Sequence, residues 1–475
     1  MELMLSPQFL HVPSSSIKVK ITANCKYSCN NPTFDPIKKL FKHTAQTFET
    51  LIINKNNPPP SKQPLKPNLL ANIFNTLDDF ICTFLDSKPL PPPIDPKYVL
   101  SGNFAPVDEL PPTACVVVDG GALPSCLDGA YIRNGPNPQF FPKSPYHFLD
   151  GDGMLHVIKI CQGKATFCSR YVKTHKYIME GKIGHPIVPN FIAGFNGVVP
   201  GMARLALTCA RVLTKQFDPL THGFGVGNTS VALLCGRLFA LCESDLPYEV
   251  KITENGDIIT LGRHDFESRE PFFRMTAHPK TDKATGEAFC YGYDFLRPFL
   301  TFYRIDGGGR KQKGVGIFSM GKNCAVVHDF GLTENFIVFS DAQIVINPLW
   351  VMRGRSPVGI DLDKIPRLGI ISRYAEDDSG MWWIDTPGFN MLHCVNAWEE
   401  DGGAGAGDTV IVMVASKIES VEKVFEITDL PQSTMEKVTI NVKAKTVERQ
   451  SLSTQGLDFA AINPAYAAKK IRCVI

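Results

Sequence analysis

Ala288-Phe-Cys-Tyr-Gly-Tyr-Asp-Phe295, followed by Phe299-Leu-Thr-Phe-Tyr-Arg-Ile305 and then Gly307-Gly-Gly309, is the most telling stretch of this chain. Two short runs rich in aromatic and β-branched residues, the second closed by glycines, predict strands joined by turns rather than helices. The same texture returns at Phe336 to Ile346, and at Thr409 to Ser416 after Gly402 to Gly407. Helical periodicity is rare beyond Tyr98, and Met202 to Leu213 is its clearest case. Many short strands with frequent turns indicate an all-β sandwich, barrel or propeller. A propeller of several four-stranded blades fits more than 370 residues best, although no WD or kelch signature and no strict repeat is present.

Composition narrows the function. The chain has 475 residues, with Lys+Arg 49 against Asp+Glu 47, so its net charge of +2 creates no basic field for nucleic acid. The hydrophobic fraction of 44% and charged fraction of 20% are those of a folded chain with a large core, not a disordered one. The most apolar stretch, Val231 to Cys242, is broken by Arg237, so no run is long enough for a transmembrane helix. The 14 cysteines form no C-x-x-C pair, and most sit singly in apolar surroundings. They read as small buried hydrophobes in a reducing compartment, not as zinc ligands or a disulfide framework.

Three regions follow. Residues 1–35 lack acids between Glu2 and Asp35, carry Lys18, Lys20 and Lys26 and contain a serine run, which reads as an organelle transit peptide. The absence of arginine there favours a plastid over a mitochondrion; a plain disordered tail is the bland alternative. Residues 36–97 are punctuated by Pro58 to Pro60 and Pro91 to Pro93. Between these, Leu69, Leu70, Ile73, Phe74, Leu77, Phe80, Ile81, Phe84 and Leu85 follow helical spacing, suited equally to a membrane surface or to packing across the domain. Residues 98–475 make the β-rich domain.

Three of the 11 histidines share a setting of small or apolar residues: His278, His328 and His393. They lie 50 and 65 residues apart. A four-stranded blade takes roughly 40 to 50 residues, so the spacing allows one histidine per successive blade, each at a strand end and facing the axis. Taken singly, each reads as a hydrogen-bonded core histidine; as a converging set, neutral imidazoles suit Fe, Zn, Cu or Ni. Glu243 and Asp458 sit among apolar residues, where an ordinary turn acid and a partner for a ligand imidazole are both open readings.

Six ordered motifs carry a resemblance: Tyr-Ile-Arg-Asn-Gly-Pro-Asn-Pro (131–138), Leu-Asp-Gly-Asp-Gly-Met-Leu-His (149–156), Glu-Ser-Asp-Leu-Pro-Tyr (243–248), Ala-His-Pro-Lys (277–280), His-Asp-Phe (328–330) and His-Cys-Val-Asn-Ala-Trp-Glu-Glu (393–400). Together they resemble the plant carotenoid cleavage dioxygenases, from about Tyr98 to Lys470. Pro-Arg-Leu-Gly-Ile-Ile-Ser-Arg-Tyr-Ala (366–375) and Leu-Asp-Phe-Ala-Ala-Ile-Asn-Pro-Ala-Tyr (457–466) are more similar to the plastid type-four branch than to the 9-cis-epoxycarotenoid branch.

The resemblance implies a seven-bladed β-propeller with a few helices over its top face and an axial non-haem Fe(II) held by four histidines. His278, His328 and His393 fall on three of the ligand motifs. Glu243 matches an acid that supports a ligand, and Asp458 takes the place of another, one methylene shorter than the expected glutamate. The Asp-Gly-Asp-Gly stretch is expected to be structural. The implied reaction adds O2 across one double bond of a carotenoid or apocarotenoid, at the 9,10 or 9′,10′ position, giving two carbonyl fragments without a side-chain acid, base or nucleophile. The 31 phenylalanines suit an apolar tunnel. The stretch Phe191 to Leu207, with Phe195, Val199, Met202 and Leu205, is expected to touch a membrane or plastoglobule through which substrate arrives, or to form an apolar lid.

None of the 82 residues after His393 is a histidine. The fourth ligand and the last blade or blades are therefore expected to lie beyond Ile475, and the metal to lack one imidazole. A non-catalytic relative that binds a carotenoid or a protein partner is the alternative reading. The expected location is the chloroplast, in stroma or on plastoglobules.

Overall fold

The computed structural model describes residues 16–19, 69–115, 123–294, 296–402, 408–425 and 433–471. Apart from the strand 16–19, the expected transit segment lies outside these residues, as do Pro58 to Pro60 and most of the 402–407 glycine run.

Among the described residues the β-rich domain makes five propeller-type antiparallel sheets in chain order. The first contains Gly129–Asn137, Asp152–Cys161 and Lys164–Tyr171, with Ser16–Val19 beside Gly129–Asn137 and Leu110–Ala114 beside Lys164–Tyr171. The second runs through Ser230–Leu234, Arg237–Leu241, Tyr248–Ile252 and Ile258–Arg263. Lys280–Thr281, Ala288–Tyr293, Leu300–Ile305 and Val315–Ile317 make the third. The fourth is Phe330–Leu332, Phe336–Asp341, Arg367–Ser372 and Trp382–Asp385. Asn390–Asp401, Thr409–Ile418, Ser433–Asn441 and Thr446–Ser451 make the fifth.

Why the stretch 288–309 becomes two strands is visible in its packing. Ala288, Phe289, Cys290 and Tyr291 are all buried although alternate side chains point to opposite faces. A sheet covered on both faces needs a continuous apolar run rather than an alternating one. One face of this sheet meets the second sheet through Ala288, Cys290 and Ile305 packed on Ala232, Leu234 and Phe239. The other meets the fourth through Phe289, Tyr291 and Phe302 packed on Phe330 and Phe339. Further cores join the first sheet to the second and the fourth to the fifth. After Leu300–Ile305, Asp306 Oδ1 accepts from the Gly308 and Arg310 amides and Gly309 takes φ +84°, which only glycine adopts freely.

The expected strand Phe336 to Ile346 is in fact two. Phe336–Asp341 stays in the fourth sheet, whereas Ile344–Ile346 pairs with Cys324–Ala325 and Val358–Ile360 in a small three-stranded sheet. The break falls at Gln343, whose amide donates to Asn390 Oδ1 instead of a strand neighbour. An unbroken apolar run does not show such a change of sheet.

Two of the described helices pack on each other. Leu69–Phe80 continues as a π-helical turn, Ile81–Leu85, and packs on Val198–Leu213. The second helix starts four residues before the expected Met202, because Gly197 at φ +87° lets the chain enter and Pro200 is tolerated in a first turn. The second helix turns Arg204 and Arg211 inward, and Asp86, capping the first, is buried against it, whereas Asp79 stays partly exposed. Arg204 Nη1 donates to Asp86 Oδ1 at 2.8 Å, with side chains only 2% and 1% exposed. Lys143 and His185 meet Asp79. Arg211 donates to Asn75 and Gln216. Their outward stripes are apolar: Leu69, Ile73, Leu77, Phe80 and Phe84 on one, and Val198, Met202, Leu205 and Leu213 on the other. No described helix is long and apolar enough to cross a membrane.

The buried Asp86–Arg204 pair pins the end of the first helical segment to the second helix, so Asp86→Ala is expected to cost about 3–5 kcal/mol by leaving a buried guanidinium uncompensated. Urea unfolding measures this; a cost below about 1 kcal/mol would contradict the pinning.

Candidate metal centre

Each of the three histidines enters from the first strand of its sheet, or from the turn just ahead of it. His278 precedes Lys280–Thr281 and its amide donates to Thr276 Oγ1 at 3.0 Å. His328 precedes Phe330–Leu332; its amide donates to Tyr293 Oη at 3.0 Å, and its backbone takes φ +50°, an unusual conformation for a non-glycine residue. His393 differs from the expected strand-end position. It lies inside Asn390–Asp401, where the register with Thr409–Ile418 shifts between Met391 and Cys394. This bulge turns the ring toward the other two, and Ser416 Oγ takes the freed His393 amide at 3.0 Å.

The rings converge. His278 Nε2 and His393 Nε2 each lie 3.2 Å from His328 Nε2. One ligand atom from each residue falls within 4.8 Å of the others, and no further histidine joins the group among the described residues. His264 bonds to Arg237 and His156 stacks on Phe167, both away from it.

Two acids decide what this convergence means. Glu243 Oε1 accepts from His328 Nδ1 at 2.7 Å and Asp458 Oδ1 accepts from His393 Nδ1 at 3.0 Å. Asp458 thus reaches its histidine despite the shorter side chain. A carboxylate accepts only, so each Nδ1 carries the proton and each neutral ring leaves its lone pair on Nε2. Two such lone pairs then face each other at 3.2 Å, a repulsive arrangement that a cation relieves. Metal–nitrogen bonds of about 2.1 Å at right angles put neighbouring nitrogens about 3 Å apart, so the triangle fits a divalent transition metal. The all-imidazole donor set and the carboxylates behind it suit a metal such as iron, zinc, copper or nickel.

The electrostatics differ from ring to ring. Burial, followed by the neighbouring His328 and His393, holds His278 well below its ordinary value, leaving it neutral. Burial also works against charge on His328, but Glu243 outweighs it and raises that imidazole. Burial opposes the Asp458 charge, yet His393 holds the carboxyl below its usual range. Around Glu243, burial first and then its charge keep the Tyr291 and Tyr293 hydroxyls protonated, far above the usual phenol range.

The other expected residues fall elsewhere. Asp150 accepts from the Ile192 and Ala193 amides, and Asp152 pairs with Lys176, so the Asp-Gly-Asp-Gly stretch ties the 191–195 loop to the first sheet. A Cβ on Gly153 would meet Gly227 O, which accounts for that glycine. Phe191 and Phe195 are half-buried, whereas Val199, at 63% exposure, Met202 and Leu205 are exposed. Among the described cysteines, Cys82, Cys168, Cys242, Cys290, Cys324 and Cys394 are buried as hydrophobes, whereas Cys115, Cys126, Cys161 and Cys209 are exposed, contrary to the expectation.

Metal and protons compete for His328 Nε2. Because the His328 pKa is raised above 6.5, metal is expected to leave as pH falls through a range above that value. In the metal-free chain the sign reverses: the charged His328–Glu243 pair contributes stability that is complete below the ordinary pKa and lost as pH rises through the raised one. Thermal melts with and without metal, from about pH 6 to about pH 8, should therefore diverge with rising pH. A constant gap would contradict this. Glu243→Gln should weaken cobalt(II) binding by about 10–100-fold, read by calorimetric titration; unchanged affinity would contradict the tautomer argument.

Comparison with known proteins places this geometry. Residues 104–474 match the family described as RPE65, retinal pigment epithelial membrane protein. The chain is 48% identical over 473 residues to "Probable carotenoid cleavage dioxygenase 4, chloroplastic" of Arabidopsis thaliana, covering 99% of this chain and 76% of that protein. It is also 48% identical over 413 residues to a chloroplastic 9-cis-epoxycarotenoid dioxygenase of Oryza sativa subsp. japonica, covering 85% of this chain and 63% of that one. A carotenoid 9,10(9′,10′)-cleavage dioxygenase of Crocus sativus is 35% identical, with 88% of this chain and 74% of that protein covered. Among solved structures, the lignostilbene dioxygenase of Pseudomonas brassicacearum matches with TM-score 0.63 at 21% identity, covering 78% of this chain and 74% of that chain, which supports the fold alone. The axial histidines therefore stand on a shared scaffold, and the chain belongs to the plant carotenoid cleavage dioxygenases within this family.

Proposed function

We propose that this chain is an iron(II)- and O2-dependent dioxygenase that cuts one double bond of a carotenoid or apocarotenoid in the plastid, at the 9,10 or 9′,10′ position. The observation that carries it is the meeting of three Nε2 atoms backed by Glu243 and Asp458. The names of the relatives supply the substrate class, the plastid and the bond.

His278, His328 and His393 would hold the metal. Iron(II), when bound, would activate O2 toward a polyene, the electrons that reduce O2 coming from the double bond that is cut. The protein's work is positional: Glu243 and Asp458 fix the two tautomers, and the Thr276, Tyr293 and Ser416 oxygens hold the three ligand backbones. Neutral imidazoles add no negative charge at the metal, and no titrating side chain is needed to move a proton.

Substrate of this class resides in lipid, and the two packed helices are built to meet it. A helix on a protein–water boundary normally exposes charge and buries apolar residues. Here Asp86, Arg204 and Arg211 are buried while Leu69, Phe84, Val199, Met202 and Leu213 are exposed, joined by Leu349 and Met352 on the adjoining 3-10 turn. This surface is read as docking on a thylakoid or plastoglobule surface beside the Phe191–Phe195 loop.

Iron-loaded protein incubated with a C40 carotenoid under O2 should release apocarotenoid carbonyls, and His328→Ala should abolish both iron binding and product. Retained iron in that variant would overturn the ligand assignment; carotenoid retention without product from the wild-type chain would favour the non-catalytic alternative. Val199→Asp with Met202→Asp should lower co-sedimentation with galactolipid vesicles at least about fivefold, about 1 kcal/mol, without altering iron content. Unchanged co-sedimentation would make the stripe a lid instead.

A further inference from the structure

The motifs around the histidines contain two charged residues that the metal site itself does not use. Lys280 lies two residues after His278, and Asp329 directly follows His328. Lys280 Nζ sits 2.7 Å from Asp329 Oδ1 and donates to Cys394 O at 3.0 Å. Asp329 Oδ1 also accepts from the Phe330 amide at 2.7 Å, and Oδ2 accepts from the Cys394 amide at 2.8 Å. Cys394 is the residue after His393. One ion pair therefore bonds to all three ligand-bearing segments, and both polar groups of the Cys394 peptide backbone are consumed by it.

The surroundings make this bond set stiff. Asp329 is buried and Lys280 half-buried, with its ammonium 5.9 Å from the centre of the Phe330 ring. A Cβ on Gly331 would already touch Ala397, Met413 and Cys394, so the first strands of the fourth and fifth sheets are in close approach just beyond the pair. Ordinary strand pairing does not link these segments, because each begins a different sheet. The His393 bulge leaves the Cys394 amide directed at Asp329 rather than into its own ladder. Where three sheets must deliver one ring each to a common point, something has to set their mutual offset.

We propose that Lys280 and Asp329 are positioning residues: their ion pair, closed on the Cys394 backbone, sets the His278–His328–His393 triangle and thereby the affinity and geometry of the metal centre. This rests on the metal-centre reading above. The pair bonds the backbones beside the ligands, and neither side chain occupies a ligand position.

Cobalt(II) titration of the metal-free full chain, followed by its visible d–d spectrum, tests it. The charge-neutral double variant Lys280→Met/Asp329→Asn removes the pair without leaving a lone buried charge, and so protects folding. It should bind cobalt about 10–100-fold more weakly than wild type, with shifted band positions, while Lys280→Arg retains wild-type bands. A melting temperature is measured alongside. Lowered melting temperature with unchanged cobalt affinity and bands would mean a purely structural pair and overturn the proposal, as would a Lys280→Arg spectrum matching that of the double variant. Should the wild-type chain itself bind no cobalt, the metal-centre reading fails instead.

Discussion

Two carboxylates acting on two imidazoles constrain this molecule more than any other contact. Glu243 and Asp458 each require a proton on the Nδ1 they face, which turns the His328 and His393 lone pairs toward each other at 3.2 Å. Without a cation this arrangement is strained electrostatically; with one it becomes a ligand set. The propeller is the means of paying out that geometry, since its successive sheets bring their first strands together. The bulge at His393 and the left-handed backbone at His328 are local departures that re-aim rings a regular strand would point elsewhere.

A second constraint works at the surface. The helices Leu69–Phe80 and Val198–Leu213 bury an aspartate–arginine pair and present apolar stripes outward. Burying charge carries a desolvation cost that an ordinary covering helix avoids. The cost is understandable if the outer face meets lipid, because the charges then anchor the helices from within. The second of these helices follows the 191–195 loop, which Asp150 fastens to the first sheet.

Much of this was legible in the residues. Aromatic and β-branched runs between glycine turns revealed the sheets, because doubly covered strands need continuous apolar character. Histidines at blade-like intervals pointed to convergence, and ordered motifs supplied the family. What stayed hidden depends on contacts distant in sequence. Ile344–Ile346 leaves its sheet because of a bond to Asn390, 47 residues from Gln343. The inward turn of Asp86 is set by Arg204, 118 residues away. Lys280 and Asp329 lay inside recognised motifs, yet only the fold shows that they meet each other and Cys394. The signal that could have flagged them was a lysine and an aspartate each within two residues of a candidate ligand.

Iron K-edge X-ray absorption on the iron-loaded full chain addresses the central claim most directly. The account predicts one iron per chain, with the multiple-scattering signature of three imidazoles and light-atom ligands in the remaining positions. Iron that binds without imidazole scattering, or failure of the chain to hold iron at all, would contradict it.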